Sequence, residues 1–363
     1  APPRRNRQKP RQLTINLGST ATKLAYFEAD ACVCRASLSY SAQELEGFPT
    51  FWDQEELRRE DIEAFIVEKG IRLSELDAVA AWGGHTEPVE DGVYAITDKL
   101  LEQSRSEKYG NHPGDLGPRI AAALAKASGK AVALSIDPPT IDEFSSLARY
   151  TGLPEITRKS RMQSLNQKAT ARRYAKDVGK PYEELDLIVV NMGGGTSVVA
   201  HKGGKMVDAN NGLDGDGPFA TNRAGSLPAG DLIDLCFSGT YTHAEMRRKI
   251  TGQGGFVGLL EENDMRVITT RAEAGDAKTA EVLDAMIYQI CKEVGAMAAV
   301  LDGHVDAILL TGGVAHSDYI SGRLKSKLAW LAPVETYAGE LEMESLGSMS
   351  YEALSGKRPI KTL

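Results

Sequence analysis

A chain of 363 residues exceeds the size at which a single hydrophobic core stops growing, so two domains are expected. Its 42% hydrophobic and 25% charged residues are ordinary for a soluble globular protein, and a net charge of −8 sets aside nucleic-acid binding, which needs a basic face. No apolar run approaches the roughly 20 residues that cross a bilayer, so no membrane partner is expected.

Residues 4–11 (RRNRQKPR) are basic and proline-flanked with no apolar core behind them. They read as part of a disordered tail over 1–12 and not as a secretory signal. Cys32, Cys34, Cys236 and Cys291 form no CxxC pair and no metal-ligand spacing, which fits a reducing cytoplasm. The six histidines are scattered, so no protein-built zinc site is expected.

Residues 13–16 (LTIN) predict a strand, Gly18-Ser19-Thr20 a turn, and 23–27 (KLAYF) a returning strand. A helix follows over 55–69, with apolar Leu57, Ile62, Phe65 and Ile66, ended by Gly70. Strand 77–81 leads into Trp82-Gly83-Gly84-His85. Helices over 98–104 and 117–128 come next, then a buried strand over 131–136 that ends at Asp137-Pro138-Pro139. A carboxylate at the carboxyl end of a buried strand sits where α/β sheets place ligands; a solvated strand-end acid that only caps the next turn explains it equally well. Residues 158–174 are basic and helix-favouring, begin the second half, and read as a solvated charged face.

Residues 187–190 form a continuous apolar run, too short for a helix and rich in β-branched residues, so a buried strand is expected. Asn191 and Gly193-Gly194-Gly195 turn the chain, and 197–201 returns. Three glycines between two strands let backbone N–H groups reach an anion with no Cβ in the way; an ordinary glycine hairpin is the alternative. The polar, glycine-dense stretch 210–218 (NNGLDGDGP) leads to Arg223 and has the character of a functional loop. Helices are expected over 229–237, 243–250 and 276–301, the last with Val282, Met286, Ile290, Val294 and Met297 at spacings of three and four, a core stripe. Strand 307–310 runs into Thr311-Gly312-Gly313, a diglycine that admits a planar ligand or simply turns the chain. A last strand over 334–337, then Gly339-Glu340, precede a helix over 345–354.

INLGSTATKLAYF and VNMGGGTSVVAH share a strand, an Asn two residues before a Gly, a small polar turn and a returning strand. Asn16 and Asn191 stand close to half the chain apart, which suggests a duplicated fold with a phosphate-reading hairpin in each half; chance likeness of short hairpins is the alternative.

The ordered series INLGSTATK (15–23), SIDPPTIDE (135–143), GLPEITRKS (152–160), LNQKATARRYA (165–175), MGGGTSVVAHKGGK, NNGLDGDGPF, RAGSLP and LLTGGVAHS resembles the butyrate kinases. These lie in the acetate kinase branch of the superfamily that holds sugar kinases, actin and heat-shock chaperones. The resemblance implies an α/β fold of two ribonuclease-H-like (actin-like) domains with a ligand cleft between them. Expected bounds are 13–148 with a returning 347–363, and 149–346 for the nucleotide-binding domain. It implies ATP and Mg2+, phosphoryl transfer to the carboxylate of a short fatty acid, and a homodimer or higher homo-oligomer. Asn16, Asp137 and Arg223 then resemble the catalytic contacts, and Gly193 to Gly195, Gly312, Gly313, Thr20 and Lys23 the ATP contacts. Glu340, with Asp137, resembles the metal-holding acid. A carboxylate is ionised at neutral pH and needs no general base, so positioning and charge neutralisation should dominate.

Three positions depart from the family: Trp82 replaces an arginine, and Gln163 and Asn191 each replace a histidine. With His112 they are the expected substrate pocket. Two readings follow. One is an active carboxylate kinase with a remodelled acid pocket; the other is a kinase-like ATP-binding protein with a different acceptor or a regulatory role.

Overall fold

A computed structural model describes residues 9–213 and 215–363. Two compact units are present: residues up to Ile141 together with Leu341–Leu363, and Asp142–Glu340. The crossings thus fall before the expected 148/149 and 346/347. The expected tail lies outside the described residues as far as residue 8, and Arg11 and Gln12 already belong to a strand.

The first unit runs β1 (Arg11–Leu17), β2 (Ala21–Glu28), β3 (Ala31–Ser39), α1 (Ala42–Leu45), α2 (Glu55–Glu68), β4 (Ala78–Ala81), β5 (Val93–Ala95), α3 (Asp98–Arg105), α4 (Leu116–Ser128) and β6 (Val132–Ile136). The second runs α5 (Ser164–Val178), β7 (Leu187–Met192), β8 (Thr196–Lys202), β9 (Lys205–Ala209), α6 (Ala229–Phe237), α7 (His243–Thr251), α8 (Gly255–Leu260), α9 (Met265–Glu273), α10 (Ala277–Val300), β10 (Ala307–Gly312), α11 (Asp318–Leu328) and β11 (Val334–Ala338). The chain then returns to the first unit with α12 (Glu342–Leu354) and β12 (Ile360–Lys361).

The two sheets share one frame. The second unit has the order β11-β10-β7-β8-β9, and the first β6-β4-β1-β2-β3 with β5 and β12 added beyond β6. In each, the first three strands form antiparallel pairs and two later ones, β4 and β6 or β10 and β11, join in parallel. In each, the second and third strands shift register once, between Tyr26 and Phe27 and between Ala200 and His201. The duplication expected from the two hairpins is therefore a shared topology.

The apolar run of β7 follows from cover on both faces. Ile188, Val190 and Met192 pack with the buried stripe of α10, while Leu187 and Val189 pack toward α5. In the first unit, Leu13, Ile15 and Leu17 face α2 and α4. The opposite residues of β1 are polar: Gln12 accepts a hydrogen bond from Ser350 on α12 and Asn16 bonds Glu342. A Cβ on Gly347 of α12 would lie 2.5 Å from the Phe27 ring, so only glycine permits this approach.

The basic segment corrects one expectation. Its helix starts at Ser164, not 158, and its charges are only in part a solvated face: Lys159, Arg161 and Arg173 are exposed, whereas Lys168 and Arg158 turn inward. Lys168 is fully buried, 2.7 Å from buried Glu143, and donates to the Gly204 carbonyl at 2.7 Å. Arg158 is also committed, donating to Asp208 and to the Ala209 carbonyl.

Candidate active site

In the second unit the glycine turn is built by exclusion. Gly193 N–H closes it on the Gly195 carbonyl at 2.9 Å. A Cβ on Gly195 would meet the Gly212 carbonyl oxygen at 2.2 Å and Arg223 Cγ at 3.6 Å, so the loop carrying Arg223 lies directly on the turn. Thr221 Oγ1 donates to the Gly193 carbonyl at 3.2 Å, and Asn222 N–H to the Gly194 carbonyl at 3.4 Å. Arg223 Nη1 donates to Asn222 Oδ1 at 2.8 Å and to the Thr251 carbonyl, while its Nε is buried with no partner. Among the described residues no carboxylate pairs with it, and burial alone lowers its pKa from the usual value. A guanidinium with no counter-ion and an unmet donor is suited to an incoming anion.

The diglycine adjoins this turn. Gly312 has φ of 89°, and a Cβ there would sit 2.3 Å from the Met192 carbonyl and 2.7 Å from Asn191 Oδ1. Gly312 and Gly339 exchange N–H···O bonds of 2.9 Å, which puts the exposed Glu340 one residue beyond that pairing. Asn191 is 8% exposed and accepts from Asn166 Nδ2 at 3.2 Å. Gln163 stands at the N-cap of α5 without a side-chain hydrogen bond to the helix and is exposed.

The first unit gathers the remaining candidates. Asn16, at the end of β1, is 6% exposed, and its Nδ2 donates to Glu342 Oε2 at 2.5 Å. Lys23 is its cross-strand neighbour on β2, and Thr20 is exposed at the hairpin tip. Asp137 follows β6, is wholly buried, and adopts φ of 44°, a conformation that favours glycine. Its Oδ1 accepts from Gly92 N–H at 2.9 Å, just before β5 and 45 residues earlier in the chain, so it is not a solvated cap on the turn that follows it. The backbone strain at a buried acid is of the kind that collects at functional positions.

Trp82 and His112 meet edge to face, ring centroids 5.4 Å apart. Gly114 lies beneath the indole, where a Cβ would come within 2.8 Å, and Trp82 Nε1 is buried without a partner. Asp115, fully buried, holds this corner together: it accepts from Gly84 N–H, His85 N–H and His112 N–H at 2.8, 3.0 and 3.1 Å, with His85 Nδ1 2.9 Å from its other oxygen contact. His112 Nδ1 accepts from Gly114 N–H at 2.9 Å. Burial, opposed by Asp115, lowers the His112 pKa, so the ring is neutral at pH 7 with its proton on Nε2.

Residues 137 and 340 test the fit of a metal. No three His, Cys, Asp or Glu side chains stand together among the described residues. One acid in each unit, taken by itself, suits magnesium carried by nucleotide phosphates and not a protein-built cage. Glu342, Asp115 and Asn166 escaped the sequence reading. The phase of α12 selects Glu342 for Asn16, and Asp115 and Asn166 act through partners far away in sequence.

The Acetokinase family model matches residues 158–331. The chain is 44% identical over 349 residues to a probable butyrate kinase of Clostridium botulinum strain Alaska E43, covering 96% of this chain and 98% of that protein. Butyrate kinase 2 of Clostridium acetobutylicum is 42% identical with the same coverage. The crystal structure of Porphyromonas gingivalis acetate kinase superposes with a TM-score of 0.76 at 17% identity, covering 95% of this chain and all of that one, a likeness of fold.

Proposed function

The chain belongs to the butyrate kinase family of acetokinases, and from that membership we propose that it phosphorylates butyrate or a branched short-chain acid with ATP, or runs the reverse reaction. The observation that carries this is Arg223, a guanidinium set against the glycine turn with no carboxylate partner among the described residues.

A carboxylate oxygen of the acid attacks the γ-phosphorus. The bond from that phosphorus to the bridging oxygen breaks, and ADP leaves with the electron pair. The nucleophile is already anionic, so no residue need remove a proton. The obstacle is repulsion between two anions, which Arg223 and the N–H groups of Gly193 to Gly195 lower. Gly312 and Gly313 admit the adenosine, and Asn16 donates toward the phosphoryl group, with Thr20 and Lys23 on its hairpin. Asp137 and Glu340 would hold magnesium through water; when bound, the ion neutralises phosphate charge. Trp82 and His112 shape the acid pocket: an indole set edge to face against the imidazole brings apolar surface in place of an arginine's charge, and the neutral imidazole offers one Nε2–H donor.

The test is a hydroxamate trap for acyl phosphate with short and branched acids, ATP and magnesium. Acyl hydroxamate from at least one acid is expected. No product from any acid, with ATP binding intact by calorimetry, would overturn the reading.

The partners are nucleotide and acid, with no nucleic acid, and no described helix is long and apolar enough to cross a membrane. We also propose a cytoplasmic homodimer or higher assembly. None of the residues of α6 is buried, although Ile233 and Phe237 are 57% and 86% exposed, an apolar face suited to a second copy. Light scattering should give at least a dimer mass and Phe237→Asp a smaller one; a monomeric parent protein refutes the assembly.

A further inference from the structure

α5 lays a row of buried polar side chains against the sheet of the second unit, where an apolar row would pack more simply. Asn166 is 1% exposed, and Thr170 and Thr311 are fully buried. The Asn166 carboxamide has two N–H hydrogens and uses both. One goes to Asn191 Oδ1 on β7 and the other to Thr311 Oγ1 on β10, each at 3.2 Å. Thr311 Oγ1 in turn donates to the Gly339 carbonyl at the end of β11, at 3.1 Å. Thr170 Oγ1 returns to the Asn166 carbonyl at 2.8 Å and holds the start of the helix in place.

The strands so joined are neighbours, and Asn191 and Thr311 are register partners. Each leads within two residues into a glycine turn: β7 into Gly193 to Gly195, and β10 into Gly312-Gly313. The backbone ladder already joins these strands, so the side-chain bridge is not needed for pairing. What it adds is a fixed distance between the strand ends, where the ladder stops and a Cβ on Gly312 would come within 2.7 Å of Asn191 Oδ1. Buried donors with full partners impose such geometry strictly, because leaving one unmet is costly.

We propose that Asn166 is a positioning residue that sets the span between the phosphate-reading and adenosine-reading turns. The inference rests on the nucleotide roles given to those turns above. It has a distinctive consequence. A ligand touching both turns depends on their spacing, whereas a ligand touching one does not.

The experiment compares three ligands on the full chain: ATP, adenosine and tripolyphosphate, by calorimetry or competition. Asn166→Ala should weaken ATP about tenfold and leave adenosine and tripolyphosphate within about twofold. KM for ATP should rise while KM for the acid holds. Thr311→Val, which keeps shape and removes the hydroxyl, should do the same to a smaller degree and decides the matter if Asn166→Ala does not fold. Equal weakening of all three ligands, or unchanged ATP affinity in a folded variant, overturns the proposal. If the parent protein binds no ATP at all, the failure belongs to the functional reading and takes this inference with it.

Discussion

The two units repeat one strand order, yet each steadies a different turn by different chemistry, the β1–β2 hairpin in the first and the β8–β9 turn in the second. Both bury a cation behind a turn. In the first, Arg58 is fully buried and donates to neutral oxygens, the Ser19 and Ala21 carbonyls, Thr22 Oγ1 and Gln54 Oε1. In the second, Lys168 reaches the Gly204 carbonyl and is neutralised by Glu143. The asparagines at the strand ends differ in the same spirit: Asn16 donates to a carboxylate, Asn191 accepts from a carboxamide. Topology was thus kept while the polar contacts diverged. The unit whose hairpin lies beside Arg223 surrounds its strand end with neutral groups, so that guanidinium keeps its charge for an incoming ligand.

The largest test of this contrast is Arg223→Ala. If the second unit supplies the decisive charge, turnover should fall about 10³- to 10⁵-fold, with ATP affinity nearly kept. Equal loss of both, in steady-state kinetics and calorimetry, would mean the arginine binds nucleotide and does not act on the transfer.

Next come the two buried cations. Lys168→Met strands the Glu143 carboxylate and should cost roughly 3–5 kcal/mol in denaturant unfolding. Arg58→Met leaves only neutral oxygens unmet and should cost less, roughly 1–3 kcal/mol. The reverse order would break the comparison.

Glycine substitutions sharpen it further. Gly195→Ala drives a Cβ to 2.2 Å from a carbonyl oxygen, so the backbone must move, at a cost of roughly 1–3 kcal/mol. At Gly18 the nearest atom would be 3.6 Å away, and Gly18→Ala should change stability by less than about 0.5 kcal/mol. Melting temperatures decide between them.

The smallest effect is on pH. His201, fully buried between Tyr182 and Gln167, is held well below its usual value by burial, and Lys168 adds to this. His112 is lowered less severely, also by burial. Both folded values lie below the unfolded 6.5, so their contribution is complete above that pH and is lost as pH falls toward the folded values. Urea midpoints should therefore drop from pH 7 to 5. His201→Gln should flatten the drop more than His112→Gln does.

Much of this frame was legible in the residues. β7 and α10 declared themselves because a strand covered on both faces is apolar throughout and a long buried helix shows its stripe. β3 did not, because half its residues face solvent and Cys32, Val33, Cys34 and Arg35 leave no clean alternation. α8 is short and starts within a glycine-rich stretch, which hid it. In the site, the glycine turn and Arg223 were readable as local motifs. The contacts of Asn16 were not, since Glu342 is 326 positions away and only the phase of its helix brings it there. Lys168 misled for a related reason: charge reads as exposure until the partner, here Glu143, is known.

The return of the chain at Leu341 also orders events at the ribosome. The second unit holds all of its elements once Glu340 has emerged, whereas the first still lacks α12, which covers the polar side of β1 with Ser350 and Glu342. The half translated earlier is therefore the later to mature, and until its closing helix arrives Gln12 and Asn16 must find water or a chaperone in place of their native partners.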